Sequence, residues 1–294
     1  MANKLAAEGR RPNAEEAALL SRFTGWGASE IANNIFPDQH TGRFRSPSWQ
    51  ALGERLRAAM TPEEYEQAKR TTQYAHYTSE GVIRSIFDGL ARLGFSGGKI
   101  VEPGMGVGSF NGLMPDAMAA NSQYTGIEYD SITGKIAKLL YPQSNIIVGD
   151  YTKTKLPRDF FDAAIGNPPF SSTVISNDPE YKKNGFLLHD YFFAKTIDRV
   201  KPGGVLVFVT SHGTMDKASD KARKYLSDRA NLLGAIRLPQ TAFKDNAGTE
   251  VVTDVLFLQK KGPGIEDNGV KWGDSKQILL GSDPVKINEY FIAH

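Results

Sequence analysis

The chain has 294 residues, room for one large domain or a core with a small companion at roughly 150 residues per domain. With 40% hydrophobic and 10% aromatic residues it is not composed like a disordered chain; 35 Lys and Arg against 33 Asp and Glu neither demand nor forbid a polyanionic partner. The absence of cysteine excludes disulfides, thiolate zinc sites and a cysteine nucleophile, and the five scattered histidines give no pair at ligand spacing, so no metal is expected. The longest apolar run, Val205-Leu206-Val207-Phe208-Val209, is far short of the ~20 residues that span a bilayer. The start, Met1-Ala2-Asn3-Lys4-Leu5, lacks the apolar stretch of a signal peptide. The expectation is a cytoplasmic protein with no membrane partner.

Residues 14–23 and 48–70 carry apolar residues at helical spacing among many charges, separated by the Gly-, Asn- and Pro-containing stretch 24–45. Thr61-Pro62-Glu63-Glu64 reads as a helix start, with a Thr cap, Pro in the first turn and acids near the positive helix end. From residue 99 the pattern changes. Strands are predicted at 99–102, 124–128, 145–148, 161–165 and 205–210, and helices at 104–119, 131–140, 187–200 and 216–229. This alternation predicts an α/β fold, doubly wound around a mostly parallel sheet. Strands at 232–238 and 251–258 have only 239–250 between them, which predicts a final antiparallel pair. The tail from Gly262 is polar and Gly-rich, with apolar patches at 278–280 and 290–293.

Val101-Glu102-Pro103-Gly104-Met105-Gly106-Val107-Gly108-Ser109-Phe110 follows a strand and opens a predicted helix. Glycines at alternate positions let the backbone turn tightly and approach a ligand. Thr125-Gly126-Ile127-Glu128-Tyr129-Asp130 ends the next strand with an acid that can accept both ribose hydroxyls of an adenosine, and Gly149-Asp150-Tyr151 ends the one after. Three successive strand ends therefore converge on one crevice. The spacing is Gly-x-Gly-x-Gly, not the Gly-x-Gly-x-x-Gly of dinucleotide sites. S-adenosylmethionine has no phosphate to seat at a helix N-terminus, and Glu102 could hold its α-amino group.

Ala164-Ile165-Gly166-Asn167-Pro168-Pro169-Phe170 ends the fourth strand. The prolines fix the backbone and carry no N–H. Their carbonyls and the Asn167 amide oxygen can accept the two N–H bonds of an exocyclic amine and turn its lone pair toward an electrophilic methyl. Phe170 can stack on a planar substrate.

These motifs resemble the S-adenosylmethionine-dependent amino methyltransferases with an Asn-Pro-Pro-aromatic motif, most closely the DNA N6-adenine methyltransferases, over about 73–260. Tyr77-Thr78-Ser79-Glu80, ahead of the glycine loop, is similar to the motif that closes over the methionine end of the cofactor, which is the gamma-type order. Ala75-His76-Tyr77-Thr78-Ser79, His189-Asp190-Tyr191-Phe192-Phe193 and Gly234-Ala235-Ile236-Arg237-Leu238-Pro239 resemble phage- and plasmid-borne adenine methylases often fused to a helicase. The resemblance implies a Rossmann-like methyltransferase with a seven-stranded sheet and a last antiparallel strand over 73–261. A small helical N-terminal region over 1–72, a candidate DNA contact, and a tail over 262–294 complete the expected layout.

By the same resemblance, S-adenosylmethionine is the cofactor and DNA in a bacterial host cell the partner. Glu128 would bind the ribose, Asp150 the adenine amino group, Tyr129 and Tyr151 the adenine faces, and Glu102 with Thr78 the methionine moiety. Tyr77, Pro103, Gly104, Gly106, Gly108, Phe110 and Asn167 complete the expected cofactor set. Phe170, in place of the commoner Tyr, and Phe243 would stack on a flipped adenine. Arg43, Arg45, Lys182 and Lys183 are candidate DNA-backbone contacts. The short stretch after the last strand leads to the expectation of no fused helicase and low sequence specificity. Two other readings fit the same residues: an amino methyltransferase acting on RNA or protein glutamine, and a non-catalytic binding module.

Overall fold

Val205, Val207 and Val209 pack into one apolar layer while Leu206 and Phe208 pack into another. A strand apolar on both sides belongs in the middle of a sheet covered on both faces. The computed structural model of the protein describes residues 1–27, 29–38, 40–72, 78–239 and 252–294. Among them, seven strands form one sheet: β1 (Lys99–Pro103), β2 (Gln123–Glu128), β3 (Asn145–Val148), β4 (Phe161–Gly166), β5 (Val200–Ser211), β6 (Ala230–Leu238) and β7 (Thr253–Lys260). Their order is β3-β2-β1-β4-β5-β7-β6. Pairing is parallel from β3 through β5, and β7 runs antiparallel to both β5 and β6. The expected doubly wound α/β fold with one reversed strand is therefore present. Because β1 has β2 on one side and β4 on the other, the winding reverses there and a crevice opens at the carboxyl ends.

The chain begins with α1 (Ala2–Glu8), α2 (Ala14–Ser21), α3 (Ser29–Ala32), α4 (Pro47–Ala58) and α5 (Pro62–Thr71). Helix α5 starts where its residues predict. Thr61 and Glu64 form a reciprocal capping box and Pro62 occupies the first turn. Helix α6 (Glu80–Arg92) buries Ile83, Ile86, Phe87 and Leu90, a stripe at helical spacing, against one sheet face.

The predicted helix over 104–119 is broken into α7 (Ser109–Gly112) and α8 (Asp116–Ala120). Its first residues are loop, with Gly104, Gly106 and Gly108 all at positive φ, and Pro115 caps α8 where no backbone N–H is needed. Helix α9 (Ser131–Leu140) and α10 (Leu188–Ile197) fall within their predicted spans. The predicted helix over 216–229 is shorter, α12 (Lys221–Ser227), and Asp216 instead ends a separate short helix, α11 (Gly213–Asp216). Lys217 leaves helical geometry, its ammonium pairs with Asp190, and buried Arg223 donates to the carbonyls of Thr214 at 3.2 Å and Lys217 at 3.0 Å.

The N-terminal helices are packed onto the core. Ala2, Leu5, Leu20, Trp26, Phe36, Tyr65 and Ala68 share one apolar cluster with Val107 of the glycine loop and Ile132 and Ile136 of α9. Lys135 of α9 forms a 2.8 Å ion pair with Glu64 and also donates to Asn3. The change of pattern near residue 72 thus marks no break in packing. The tail forms the hairpin β8 (Ser275–Leu280) and β9 (Asp283–Asn288) followed by α13 (Glu289–Ala293). It is folded back: Asn288 donates to the carbonyls of Met215 and Trp272, both at 2.9 Å, and the Arg237 guanidinium lies 4.2 Å from the Phe291 ring centre. Among the described residues, no helix is long and apolar enough to cross a membrane.

Candidate functional site

Beyond β1 the backbone turns through Gly104 (φ 73°), Gly106 (φ 59°) and Gly108 (φ 89°), a left-handed geometry that side-chain-bearing residues adopt only with strain. The N–H groups of Gly104 and Met105 both donate to the Ile127 carbonyl, at 2.8 and 3.0 Å. This stitches the loop to the end of β2. There the Glu128 carboxylate accepts from the Gly106 N–H at 2.9 Å and from the Asp130 N–H at 2.7 Å. A Cβ on Gly104 would meet Pro169 at 3.6 Å and Phe192 at 3.7 Å, so glycine loop and proline loop nearly touch.

A cavity of about 860 Å³ opens over the carboxyl ends of β1 to β4. Of the predicted residues, Thr78, Glu102, Gly104, Gly106, Phe110, Glu128, Tyr129, Asp150, Tyr151, Asn167 and Pro169 line it. Four others do not. Pro103 is buried in the end of β1, Gly108 is backed by the Tyr141 ring, Pro168 is buried, and Phe170 is partly exposed just past Pro169. Arg43, Arg45, Lys182 and Lys183 are exposed and lie outside the lining. Tyr77 and Phe243 lie outside the described residues.

Three strand-end acids sit in different environments. Glu102 is only 1% exposed and accepts a hydrogen bond from the Tyr124 hydroxyl. Burial lifts its carboxyl to about 8, against the pull of that hydroxyl and with help from the Glu128 charge. Glu128 is raised to about 7, chiefly by desolvation and also by the neighbouring Asp130 charge, while the backbone N–H groups oppose the rise. Asp150 is half-buried and its Oδ1 accepts from the backbone N–H of Thr152 at 2.8 Å and its hydroxyl at 2.7 Å. Tyr151 is buried, its hydroxyl paired with Thr196 at 2.9 Å and its ring tilted against Phe192 at 4.8 Å. It forms a fixed part of the cavity wall.

Helix α10 organises the segment behind the tetrapeptide. Leu188 N–H donates to the Thr173 carbonyl at 2.8 Å, and His189 Nδ1 lies 3.2 Å from the Ser171 carbonyl. Tyr191 donates to Asp178 at 2.7 Å. Buried Lys195 donates to Asp178 at 3.1 Å and to the Tyr151 carbonyl at 2.7 Å, so one ammonium ties this segment to the end of β3. Burial pushes the Lys195 ammonium below its ordinary value, with Asp178 opposing the shift. The stretch His189-Asp190-Tyr191-Phe192-Phe193 is thus read directly in the architecture, with Phe192 lining the cavity.

Sequence reasoning missed several lining residues. Gly25, Trp26, Glu66, Lys69, Arg70 and Thr71 arrive from the N-terminal region, Asp130 and Thr133 from the start of α9, and Ile175 and Asn177 from the segment after the tetrapeptide. Asn177 donates to the Thr152 hydroxyl at 2.8 Å and so continues the chain that begins at Asp150. The signal available in sequence was the Thr24-Gly25-Trp26-Gly27 turn, which has no periodicity to place it.

The cavity suits a ligand bearing several hydrogen-bond donors. Glu102, Glu128, Asp130 and Asp150 are acceptors when ionised. Two buried oxygens of lining residues, Thr78 Oγ1 and Asp130 Oδ2, have no partner among the described residues. An ammonium, a ribose diol and an exocyclic amine are donors of that kind, so the residues present fit S-adenosylmethionine.

Residues 61–280 match the N-6 DNA Methylase family. The Defense against restriction protein B of Escherichia phage P1 is 29% identical over 190 residues, which are 63% of this chain and 8% of that protein. The chain therefore spans a small fraction of that relative's length. Among solved structures, a candidate class I S-adenosylmethionine-dependent methyltransferase from Listeria monocytogenes superposes with a TM-score of 0.58 at 16% identity, covering 79% of this chain and 78% of that one. The modification subunit of a candidate type I restriction enzyme from Vibrio vulnificus YJ016 gives 0.55 at 19% identity, covering 75% and 51%. At such identities these likenesses speak to the fold. With three-quarters of its length inside the matched region, the chain belongs to the N-6 DNA Methylase family, and its methyl donor is S-adenosylmethionine.

Proposed function

We propose that this chain transfers a methyl group from S-adenosylmethionine to N6 of an adenine in DNA, flipped out of the duplex, in many sequence contexts and in the cytoplasm of a bacterial host. The observation that carries the reading is one shared space: Asn167 and Pro169 line the same cavity as Glu102, Glu128 and Asp150. About 860 Å³ is within the range of small-molecule sites and suits a nucleoside-sized donor beside a nucleobase.

When bound, S-adenosylmethionine supplies an electrophilic methyl on a sulfonium. In this reading Glu128 takes the ribose, Asp150 the adenine amino group, and Tyr129 and Tyr151 the adenine faces. Glu102 and Thr78, with Tyr77, hold the methionine moiety. Asn167 and the carbonyls of Pro168 and Pro169 accept the N–H bonds of the target amine, so that its lone pair rather than its protons faces the methyl. Catalysis is then mostly positioning and electrostatics. Taking an adenine out of the duplex costs a few kcal/mol. Stacking on aromatics returns roughly 1–3 kcal/mol per base, the role proposed for Phe170 and Phe243.

Arg43, Arg45, Lys182 and Lys183 are proposed to meet phosphates. All four are exposed, and Lys182 and Lys183 belong to the segment that α10 anchors behind the tetrapeptide. Phosphate contacts position a duplex without reading it. The tail after β7 is folded onto the body of the molecule, which favours contact without base readout by this part of the chain. The test is incubation of the protein with methyl-labelled S-adenosylmethionine and, separately, DNA, RNA and protein, followed by mapping of modified adenines. Label confined to RNA or protein would overturn the substrate, and modification at one site of four or more defined base pairs would overturn the low specificity.

A further inference from the structure

Trp26 is 7% exposed, and its remaining surface belongs to a residue that lines the large cavity. Its ring is held edge-on by Phe23, with centroids 5.0 Å apart, and by Phe36 at 6.1 Å, and Phe36 in turn meets Tyr65 of α5 at 5.2 Å. Its indole N–H reaches Asp130 Oδ1 at 3.3 Å. The same oxygen accepts from the backbone N–H of Thr133 at 2.8 Å and from its hydroxyl at 2.6 Å, so Asp130 caps α9 and holds the indole with one atom. Asp130 N–H goes to Glu128, and Glu128 holds Gly106. A continuous hydrogen-bonded path therefore runs from the N-terminal segment to the glycine loop. Gly25, also in the lining, has φ 74°, which lets the chain turn sharply just before the tryptophan.

We infer that the N-terminal segment is part of the methyl-donor site, with Trp26 touching the adenosine end of the bound cofactor. The inference rests on reading the cavity as the donor site with Glu128 at the ribose. Trp26 is fixed beside Asp130, two residues past Glu128, while Thr78 and Glu102 are assigned to the methionine moiety. The one donor of the indole is already engaged by Asp130, so what Trp26 presents at the cavity lining is the small exposed part of its apolar ring, which suits van der Waals contact with a nucleoside. The N-terminal region then serves the donor site through Trp26 as well as offering Arg43 and Arg45 to DNA.

The test uses the intact protein labelled with 5-fluorotryptophan, whose three tryptophans, Trp26, Trp49 and Trp272, give fluorine resonances assigned by single Trp→Phe variants. Trp49 and Trp272 are outside the cavity lining and serve as internal references. S-adenosylhomocysteine and adenosine are expected to shift the Trp26 resonance, and methionine to leave it in place. By calorimetry, Trp26→Ala should bind S-adenosylhomocysteine about fivefold to tenfold more weakly, the scale of one lost apolar contact of about 1–1.4 kcal/mol, and Trp26→Phe should recover most of that loss. Calorimetric binding with an unmoved Trp26 resonance overturns the inference and leaves the donor site standing. A shift produced by methionine and not by adenosine overturns the adenosine assignment. No binding of S-adenosylhomocysteine at all overturns the inference together with the reading of the cavity.

Discussion

The Nδ1 of His189 lies 3.2 Å from the carbonyl oxygen of Ser171, the residue that follows Asn167-Pro168-Pro169-Phe170. A carbonyl only accepts, so the ring proton is on Nδ1 and Nε2 is left facing Lys217 Nζ at 3.5 Å. The first residue of α10 after Leu188 thus anchors the end of the tetrapeptide loop. Burial pushes the His189 pKa below its ordinary 6.5, with Lys217 adding to the shift and Asp190 opposing it.

Loss of this anchor should show in turnover. His189→Ala is expected to lower kcat roughly tenfold, the scale of one hydrogen bond of about 1.4 kcal/mol, with little change in S-adenosylmethionine affinity. His189→Asn, whose amide can donate to the same carbonyl, should recover part of it. Because the folded pKa is depressed, the stability that neutral His189 contributes is present above 6.5 and lost as pH falls toward the lowered value. Thermal melts of wild type and His189→Asn across that window check the sign: a wild-type curve no steeper than the variant's on the acid side contradicts it.

Glu102 and Glu128 titrate in the opposite sense. Raised from 4.5 to about 8 and about 7, they stabilise the cofactor-free fold below 4.5, and that contribution is lost as pH rises through their folded values. Hydroxyl and ammonium donors of the cofactor favour the ionised carboxylates. Cofactor binding should therefore release protons and tighten between about pH 6 and 8. Calorimetry of S-adenosylhomocysteine binding in buffers of different ionisation enthalpy measures the release directly, and uptake of protons would reverse the assignment.

Asn167→Ala is expected to abolish methyl transfer to DNA while cofactor affinity stays within a few-fold of wild type. Phe170→Ala should reduce turnover through lost stacking, worth roughly 1–3 kcal/mol. Asp150→Ala, by contrast, should weaken cofactor binding, since it removes an acceptor that Thr152 holds in place. Paired calorimetry and labelled-methyl assays separate these effects; substantial activity in Asn167→Ala would sink the mechanism.

Gly108→Ala tests the glycine loop as a shape. The new Cβ would stand 2.6 Å from the Tyr141 ring at a φ of +89°, combining overpacking with backbone strain. A loss of about 2–4 kcal/mol in unfolding free energy is expected, together with weaker cofactor binding, because Gly106 and Glu128 are joined to the same loop. Urea titration reads the first effect and calorimetry the second. Gly81→Ala, where a Cβ meets nothing within 4 Å and which lies outside the cavity lining, is the control.

The class of fold and the neighbourhood of the site are legible in the residues alone. Short apolar strands alternating with amphipathic helices force a parallel sheet covered on both faces, and acids and glycines at strand ends fall at its carboxyl edge whatever the details of packing. That is why Glu102, Glu128, Asp150 and Asn167, distant in the chain, line one cavity. Local chemistry also set single boundaries, as at Thr61 and Pro62, because a capping box is complete within four residues. The remaining features depend on contacts distant in the chain. The Trp26–Asp130 bond spans 104 residues and the Lys195–Tyr151 bond 44, and no periodicity encodes such pairs. The departure of Lys217 from helical geometry toward Asp190 has the same origin: a side chain's partner across the fold outweighs the few tenths of a kcal/mol by which local propensity favours one backbone state over another.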